Sequence, residues 1–132
     1  MTNTSPSIFD PTQLDGVENQ SAVNSAVDRS RLAAISKGKQ NTERELITLF
    51  RRVNDEDVGL LYKAVQDGDM AGALHASHRM SGACRMIGAI PLAAVCERLE
   101  TASRGNDFNV VKANMPDLQR EVGRVYAFLD SM

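Results

Sequence analysis

The sequence predicts an all-α protein, an antiparallel four-helix bundle with a short additional N-terminal helix. Two observations predict this fold class. First, the apolar residues are mostly Ala, Leu, Val, Ile and Met, the chain has no Trp, and few segments carry strand signals. Second, four long segments place apolar residues at helical spacing, and short turns join them.

The chain of 132 residues is long enough for one domain with one core. We expect residues 1–27, which are rich in Ser, Thr, Asn and Gln, to form a polar linker or N-terminal extension. We expect residues 28–132 to form the bundle. Its first helix is short, with Asp28 as the N-cap, Lys37 near its end and Gly38 as the stop.

The second predicted helix begins at a capping box. Thr42 and Glu45 have the spacing in which two side chains satisfy free backbone N–H groups. An apolar stripe continues from there to about Gln66. The acidic run at 55–57 interrupts the stripe, and we interpret this run as a solvated face.

The third predicted helix runs over Met70–Ile87, and Gly88 closes it. Pro91 fits the first turn of the fourth helix, because its missing N–H costs nothing there. Pro116 lies inside the apolar pattern of the last helix. It predicts either a kink or a restart of the helix after Asn114.

Charge and hydropathy argue against two classes of partner. The net charge of −2 gives no broad attraction to nucleic acid. No apolar run approaches the ~20 residues of a membrane span, so we expect no direct membrane contact. We also expect the chain to be a monomer and to lie in the cytoplasm. Cys84 and Cys96 fall on predicted core faces, where we expect buried thiols and no disulfide framework.

The third helix carries the most informative residues of the chain. At 100° per residue, one side is apolar and small and should face the core. That side holds Ala73, Leu74, Ser77, Met80, Cys84 and Ile87. The other side holds Ala71, His75, His78, Gly82 and Arg85, and Ser81 lies between the two. His78 is therefore a solvent-facing imidazole one turn from a glycine and two turns from an arginine.

Gly82 is an unusual choice for an exposed position inside a helix. Glycine there costs roughly 1 kcal/mol relative to alanine, and at this position it fills no core. We interpret it as a residue that provides access, because the missing side chain leaves room around His78 and for a docking protein.

The run His78-Arg79-Met80-Ser81-Gly82 resembles the motif of histidine-containing phosphotransfer (HPt) domains: a histidine, any residue, an apolar residue, usually a lysine, and a glycine. The runs at 84–89 and 96–100 are similar to the same family. The likeness is greatest to the HPt modules at the C-terminal ends of bacterial hybrid sensor kinases, and it covers about residues 28–129. One departure is that Ser81 stands where the family usually has lysine.

The resemblance implies that His78 accepts a phosphoryl group from an aspartyl phosphate on one receiver domain and passes it to the aspartate of another. The implied partners are receiver domains of response regulators and of a hybrid sensor kinase. The receiver would supply Mg²⁺, so no cofactor is expected on this chain. No Gly-rich phosphate loop precedes a helix, which argues against autonomous kinase activity. Within a hybrid sensor kinase, the chain would be the cytoplasmic end of an inner-membrane histidine kinase.

Further residues of the third helix receive predicted roles. Ser81 and Arg85 are the candidates for stabilising the phosphoryl group. Ser81 occupies the lysine position, and the long Arg85 side chain leans back towards His78. The predicted docking residues for the receiver are Ala71, His75, Arg79 and Gly82.

Other interpretations of the two histidines stay open. His78 alone would be an ordinary surface histidine. His75 is a competing acceptor, although Arg79 lies one turn after it and limits access. The two histidines at i, i+3 fall short of a closed zinc site, so no metal is expected. The alternative function is a helical protein-interaction module without phosphotransfer.

Overall fold

The computed structural model describes residues 26–132, and this part of the chain forms helices without any strand. The helices are α1 (Arg29–Ser36), α2 (Gln40–Asp67), α3 (Met70–Ile87), α4 (Ile90–Arg104) and α5 (Phe108–Asp130). Short turns make successive long helices antiparallel, and α1 packs against α2 and α3. The predicted all-α four-helix bundle with an additional N-terminal helix is confirmed.

Aspartate side chains begin three of the helices, as N-caps of α1, α3 and α5. Asp28, Asp69 and Asp107 each accept a hydrogen bond from a backbone N–H in the first turn. At the other end of α3, Gly88 has φ 87°, and a Cβ there would lie 2.7 Å from the Asp28 carbonyl oxygen. Only glycine fits this position, which closes α3 and turns the chain directly into α4.

The start of α2 differs from the prediction. Its N-cap is Lys39, whose carbonyl accepts from the N–H four residues later at 2.9 Å. No side chain caps this end, so the predicted capping box beginning at Thr42 is wrong. The physical reason lies in the preceding turn, where Lys37 and Gly38 both adopt positive φ and redirect the chain into helical geometry earlier than the capping signal suggests.

α5 continues through Pro116 without interruption, so the predicted restart after Asn114 is wrong. The buried stripe of α5 runs on both sides of the proline, with Val111, Met115 and Leu118 in the core. Packing of this stripe holds the helix together where the proline removes one backbone hydrogen bond.

The core lies between the four long helices. Its largest fully buried side chains include Leu61, Met80, Leu92, Leu99, Leu118 and Phe128. Cys84 and Cys96 are free and buried as predicted. The contact with the Cys96 thiol, together with burial, raises the pKa of Cys84, so this thiol stays protonated. No helix of residues 26–132 is long and apolar enough to cross a membrane.

The chain enters the bundle beside the α3–α4 turn. Ala26 and Val27, which the sequence analysis assigns to the linker, are buried. The Asp28 N–H then donates to the Gly88 carbonyl at 2.8 Å. The rest of the predicted linker, residues 1–25, lies outside the described residues.

Candidate functional site

The exposed face of α3 is the one that the helical spacing predicts. Its exposed residues include Ala71, His75, His78, Arg79, Gly82 and Arg85. Met86, near the end of α3, is exposed as well. The opposite side is buried except for Leu74, which is half-buried. Ser81, placed between the two faces from sequence, lies on the buried side, with 6% of its surface exposed.

His78 is held by a carboxylate from the next helix. Its side chain is 72% exposed, and its Nδ1 lies 3.0 Å from Oε2 of Glu100 on α4. The Glu100 side chain is only 15% exposed, so the protein covers most of this partner. A carboxylate accepts hydrogen bonds only, so a neutral imidazole must carry its proton on Nδ1. Nε2 then keeps its lone pair and is the nucleophilic ring nitrogen.

Arg104 completes this small charged cluster. Its guanidinium donates to Oε2 of Glu100 at 3.0 Å, the same oxygen that Nδ1 of His78 contacts at 3.0 Å. Both groups therefore share one carboxylate oxygen. Hydrogen bonds from Arg104 first, and then from His78, lower the pKa of Glu100 below its usual range. The carboxylate is therefore ionised at neutral pH and available to hold the imidazole.

Glu100 is not among the residues that the sequence predicts for the site. A signal for it exists in the tight α3–α4 turn, because antiparallel helices bring together residues equally far from their connection. His78 precedes Gly88 by ten residues, and Glu100 follows Ala89 by eleven. This register places Glu100 within one residue of the position on α4 that lies opposite His78, and it is the carboxylate nearest to that position.

Arg79 is anchored on α2. Its Nε and Nη2 donate to Oδ1 of Asp57 at 3.1 and 2.9 Å. Asp57 is buried, with 4% of its surface exposed, so the interpretation of the whole acidic run as a solvated face is wrong. Asp57 lies four residues after Val53 and four before Leu61, so helical spacing places it on the apolar side of α2 and gave a signal for its burial. Which residue pairs with it depends on the neighbouring α3. The docking role of Arg79 stays a prediction.

The two residues predicted to stabilise a phosphoryl group form no hydrogen bond with His78 in the described structure. Arg85 makes an ion pair with Glu97 of α4, and both side chains are about half exposed. Ser81 is buried beneath the exposed face. Their roles in holding the phosphoryl group therefore stay predictions.

The surroundings of His78 are open on the side of Gly82. A Cβ built on Gly82 would have no neighbouring atom within 4 Å, so no packing contact requires glycine there. This open space agrees with the interpretation of Gly82 as a residue that provides access. Within residues 26–132, no group of three or more His, Cys, Asp or Glu side chains could hold a metal ion.

Comparisons with known proteins place this chain in a family. The Hpt domain family model matches residues 45–128, which is more than half of the chain. The crystal structure of histidine-containing phosphotransfer protein B from Pseudomonas aeruginosa PAO1 is similar, with a TM-score of 0.73 and 24% sequence identity. The alignment covers 80% of this chain and 93% of that one, and at this identity it shows the fold alone. A search of curated proteins finds no match.

The family match includes α3, α4 and most of α2 and α5, and hence both His78 and Glu100. The exposed imidazole, the helical bundle and the matched range agree with one another. This chain therefore belongs to the family of Hpt domains, the histidine phosphotransfer modules of phosphorelays.

Proposed function

We propose that His78 is the residue that carries the phosphoryl group. Nε2 attacks the phosphorus of an aspartyl phosphate on a receiver domain, the N–P bond forms, and the P–O bond to the receiver carboxylate breaks. The reverse reaction on a second receiver regenerates the free imidazole. The observation that carries this proposal is the exposed imidazole whose Nδ1 is bound by an ionised Glu100.

Glu100 determines which ring nitrogen of His78 attacks the phosphorus. As the N–P bond forms, positive charge develops on the imidazole ring, and the Nδ1 proton becomes more acidic. An anionic acceptor 3.0 Å away stabilises this charge and keeps the ring in one orientation. Glu100 is a positioning residue in this scheme, because it touches the imidazole and not the phosphoryl group.

Hpt domains interact with the receiver domains of response regulators. We propose that the receiver docks on the exposed face of α3 around Ala71, His75, His78 and Gly82, and that it brings the Mg²⁺ that phosphoryl transfer needs. We further propose that this occurs in the cytoplasm, with a hybrid sensor kinase as one source of the phosphoryl group.

The experiment that tests the proposed function mixes the chain with a phosphorylated receiver and measures acid-labile phosphate on His78. Transfer should appear within the lifetime of the aspartyl phosphate and should reverse when a second, unphosphorylated receiver is added. A helical interaction module without phosphotransfer would bind the receiver and take up no phosphate.

Removal of the Glu100 carboxylate should slow phosphate acceptance. We expect Glu100→Ala to lower the transfer rate about ten-fold, because the imidazole loses its orienting partner. Glu100→Gln should have a smaller effect, since an amide oxygen can still accept a hydrogen bond from the Nδ1–H group. Rapid-quench measurements with a phosphorylated receiver give the rates, and Glu56→Ala, on the exposed face of α2, is the control. A wild-type rate for Glu100→Ala would contradict the positioning role.

Ser81 brings no charge where the family usually has lysine, and we propose that Arg85 supplies the positive charge. It must leave Glu97 to do so, which costs little because an exposed ion pair contributes only about 0–1 kcal/mol. Arg85→Ala should then shorten the lifetime of phospho-His78 and slow transfer by about two- to five-fold. Ser81→Ala should change both less, because Ser81 is buried. If Arg85→Ala changes neither quantity, the receiver or Arg104 supplies the charge, and Arg104→Ala in the same assay distinguishes the two.

A further inference from the structure

The contact between Asp57 and Arg79 joins the middle of α2 to the residue directly after His78. One carboxylate oxygen of Asp57 accepts from two nitrogens of the guanidinium, at 3.1 and 2.9 Å. Because Asp57 is buried, its charge would be very unfavourable without a partner. The guanidinium is thus held by a carboxylate that is buried between the helices.

The other oxygen of Asp57 strengthens this conclusion. Oδ2 is buried and has no hydrogen-bond partner among residues 26–132. The contact with Arg79 is therefore what compensates the Asp57 charge in the described structure. Moving Arg79 away would leave the buried Asp57 charge without a partner, so we expect the guanidinium to remain in place when a partner approaches.

Arg79 nevertheless keeps binding capacity at the surface. Its side chain is 50% exposed, and Nη1 forms no hydrogen bond within the described residues. A guanidinium has five N–H donors in a fixed plane, so holding Nε and Nη2 also fixes the direction of the remaining donors. Arg104 differs, because its partner Glu100 is on its own helix and its side chain is 62% exposed.

We propose that Asp57 is a positioning residue for receiver recognition: it holds the Arg79 guanidinium beside His78 as a preorganised cation that binds a carboxylate on the receiver surface. A free arginine would lose much side-chain entropy on binding, and here that loss has already occurred on folding. The inference rests on the proposed function, because it assigns the receiver as the partner. It concerns docking and not the chemistry at Nε2.

The test separates docking from chemistry with two phosphoryl donors. One is a phosphorylated receiver. The other is phosphoramidate, a small donor without a docking surface, from which Nε2 would take the phosphoryl group as the P–N bond breaks and ammonia leaves. For Asp57→Asn we expect the KM for the phosphorylated receiver to rise about three- to ten-fold, with kcat and the phosphoramidate rate unchanged.

Two further variants keep the test decisive if Asp57→Asn folds poorly. Arg79→Lys retains the charge without the two-nitrogen contact and should show part of the rise in KM. Asp57→Leu combined with Arg79→Met replaces the pair with apolar side chains, which cores often tolerate, and should show the full rise. Glu56→Gln removes one exposed carboxylate from the same helix and is the matched control.

The outcomes distinguish this inference from the function on which it rests. A wild-type KM for the receiver in both Asp57→Asn and the double variant would overturn the role of Asp57. An equal loss with both donors would also overturn it, because Asp57 would then act on the fold or on His78 itself. If His78 of the wild-type protein accepts a phosphoryl group from phosphoramidate but from no phosphorylated receiver, the proposed function fails as well.

Discussion

His78→Gln should abolish phosphate acceptance from a phosphorylated receiver and leave the fold intact. Glutamine has no nucleophilic nitrogen, so no N–P bond can form at this position. The side chain is 72% exposed, and Glu100 keeps its hydrogen bond from Arg104 when the imidazole is removed, so the free energy of unfolding should change by no more than about 1 kcal/mol. Acid-labile phosphate and a thermal unfolding curve together check both parts of this expectation.

His75→Gln is the matched control, because it removes the other imidazole of the same exposed helix face. This variant should retain most of the transfer. Mapping of the phosphorylated peptide must place the group on His78 in both the wild-type protein and the control. Phosphate on His75 would mean that the acceptor has been assigned to the wrong histidine.

Gly82→Leu and Gly82→Glu should impair transfer far more than they affect folding. The position is open, with no atom within 4 Å of an added Cβ, so a side chain would project into the space that a docking receiver needs. Moving the reacting groups apart by about 1 Å can cost roughly 100-fold in rate. In contrast, leucine should stabilise this helix by up to about 1 kcal/mol, because glycine has poor helix propensity.

Gly123→Leu provides the comparison. Gly123 lies inside α5, is exposed, and also has no atom within 4 Å of an added Cβ. Both leucine variants should show equal or higher melting temperatures than the wild-type protein. Only the variant at Gly82 should lose receiver binding and transfer. Normal transfer by Gly82→Leu would rule out the interpretation of Gly82 as a residue that provides access.

Much of the fold can be predicted from the sequence because its signals are local. The bounds of α3, Met70–Ile87, agree with the prediction from apolar spacing and from the residues at its ends. Asp69 caps the first turn, and Gly88 adopts the left-handed conformation that ends the helix. Each signal acts within about one helical turn, so no knowledge of other helices is needed.

The prediction of α2 shows where local signals compete. Thr42 and Glu45 have the spacing of a capping box, yet the helix begins at Gln40. The turn at Lys37 and Gly38 brings the chain into helical geometry first, and helix extension by a few residues costs little free energy once the rest of α2 is packed. A capping signal in sequence therefore gives a position with an error of a few residues.

The sequence by itself determined the helical bundle, the exposed histidine on α3 and the resemblance that the family match confirms. Only the tertiary structure decided that Glu100 holds the imidazole, that Arg79 is the partner of Asp57, and that Ser81 faces inward. The physical reason is that periodicity assigns a residue to a face of its own helix, whereas burial and ion pairing depend on which neighbouring helix covers that face. These contacts join residues more than twenty positions apart, across the α2–α3 and α3–α4 interfaces.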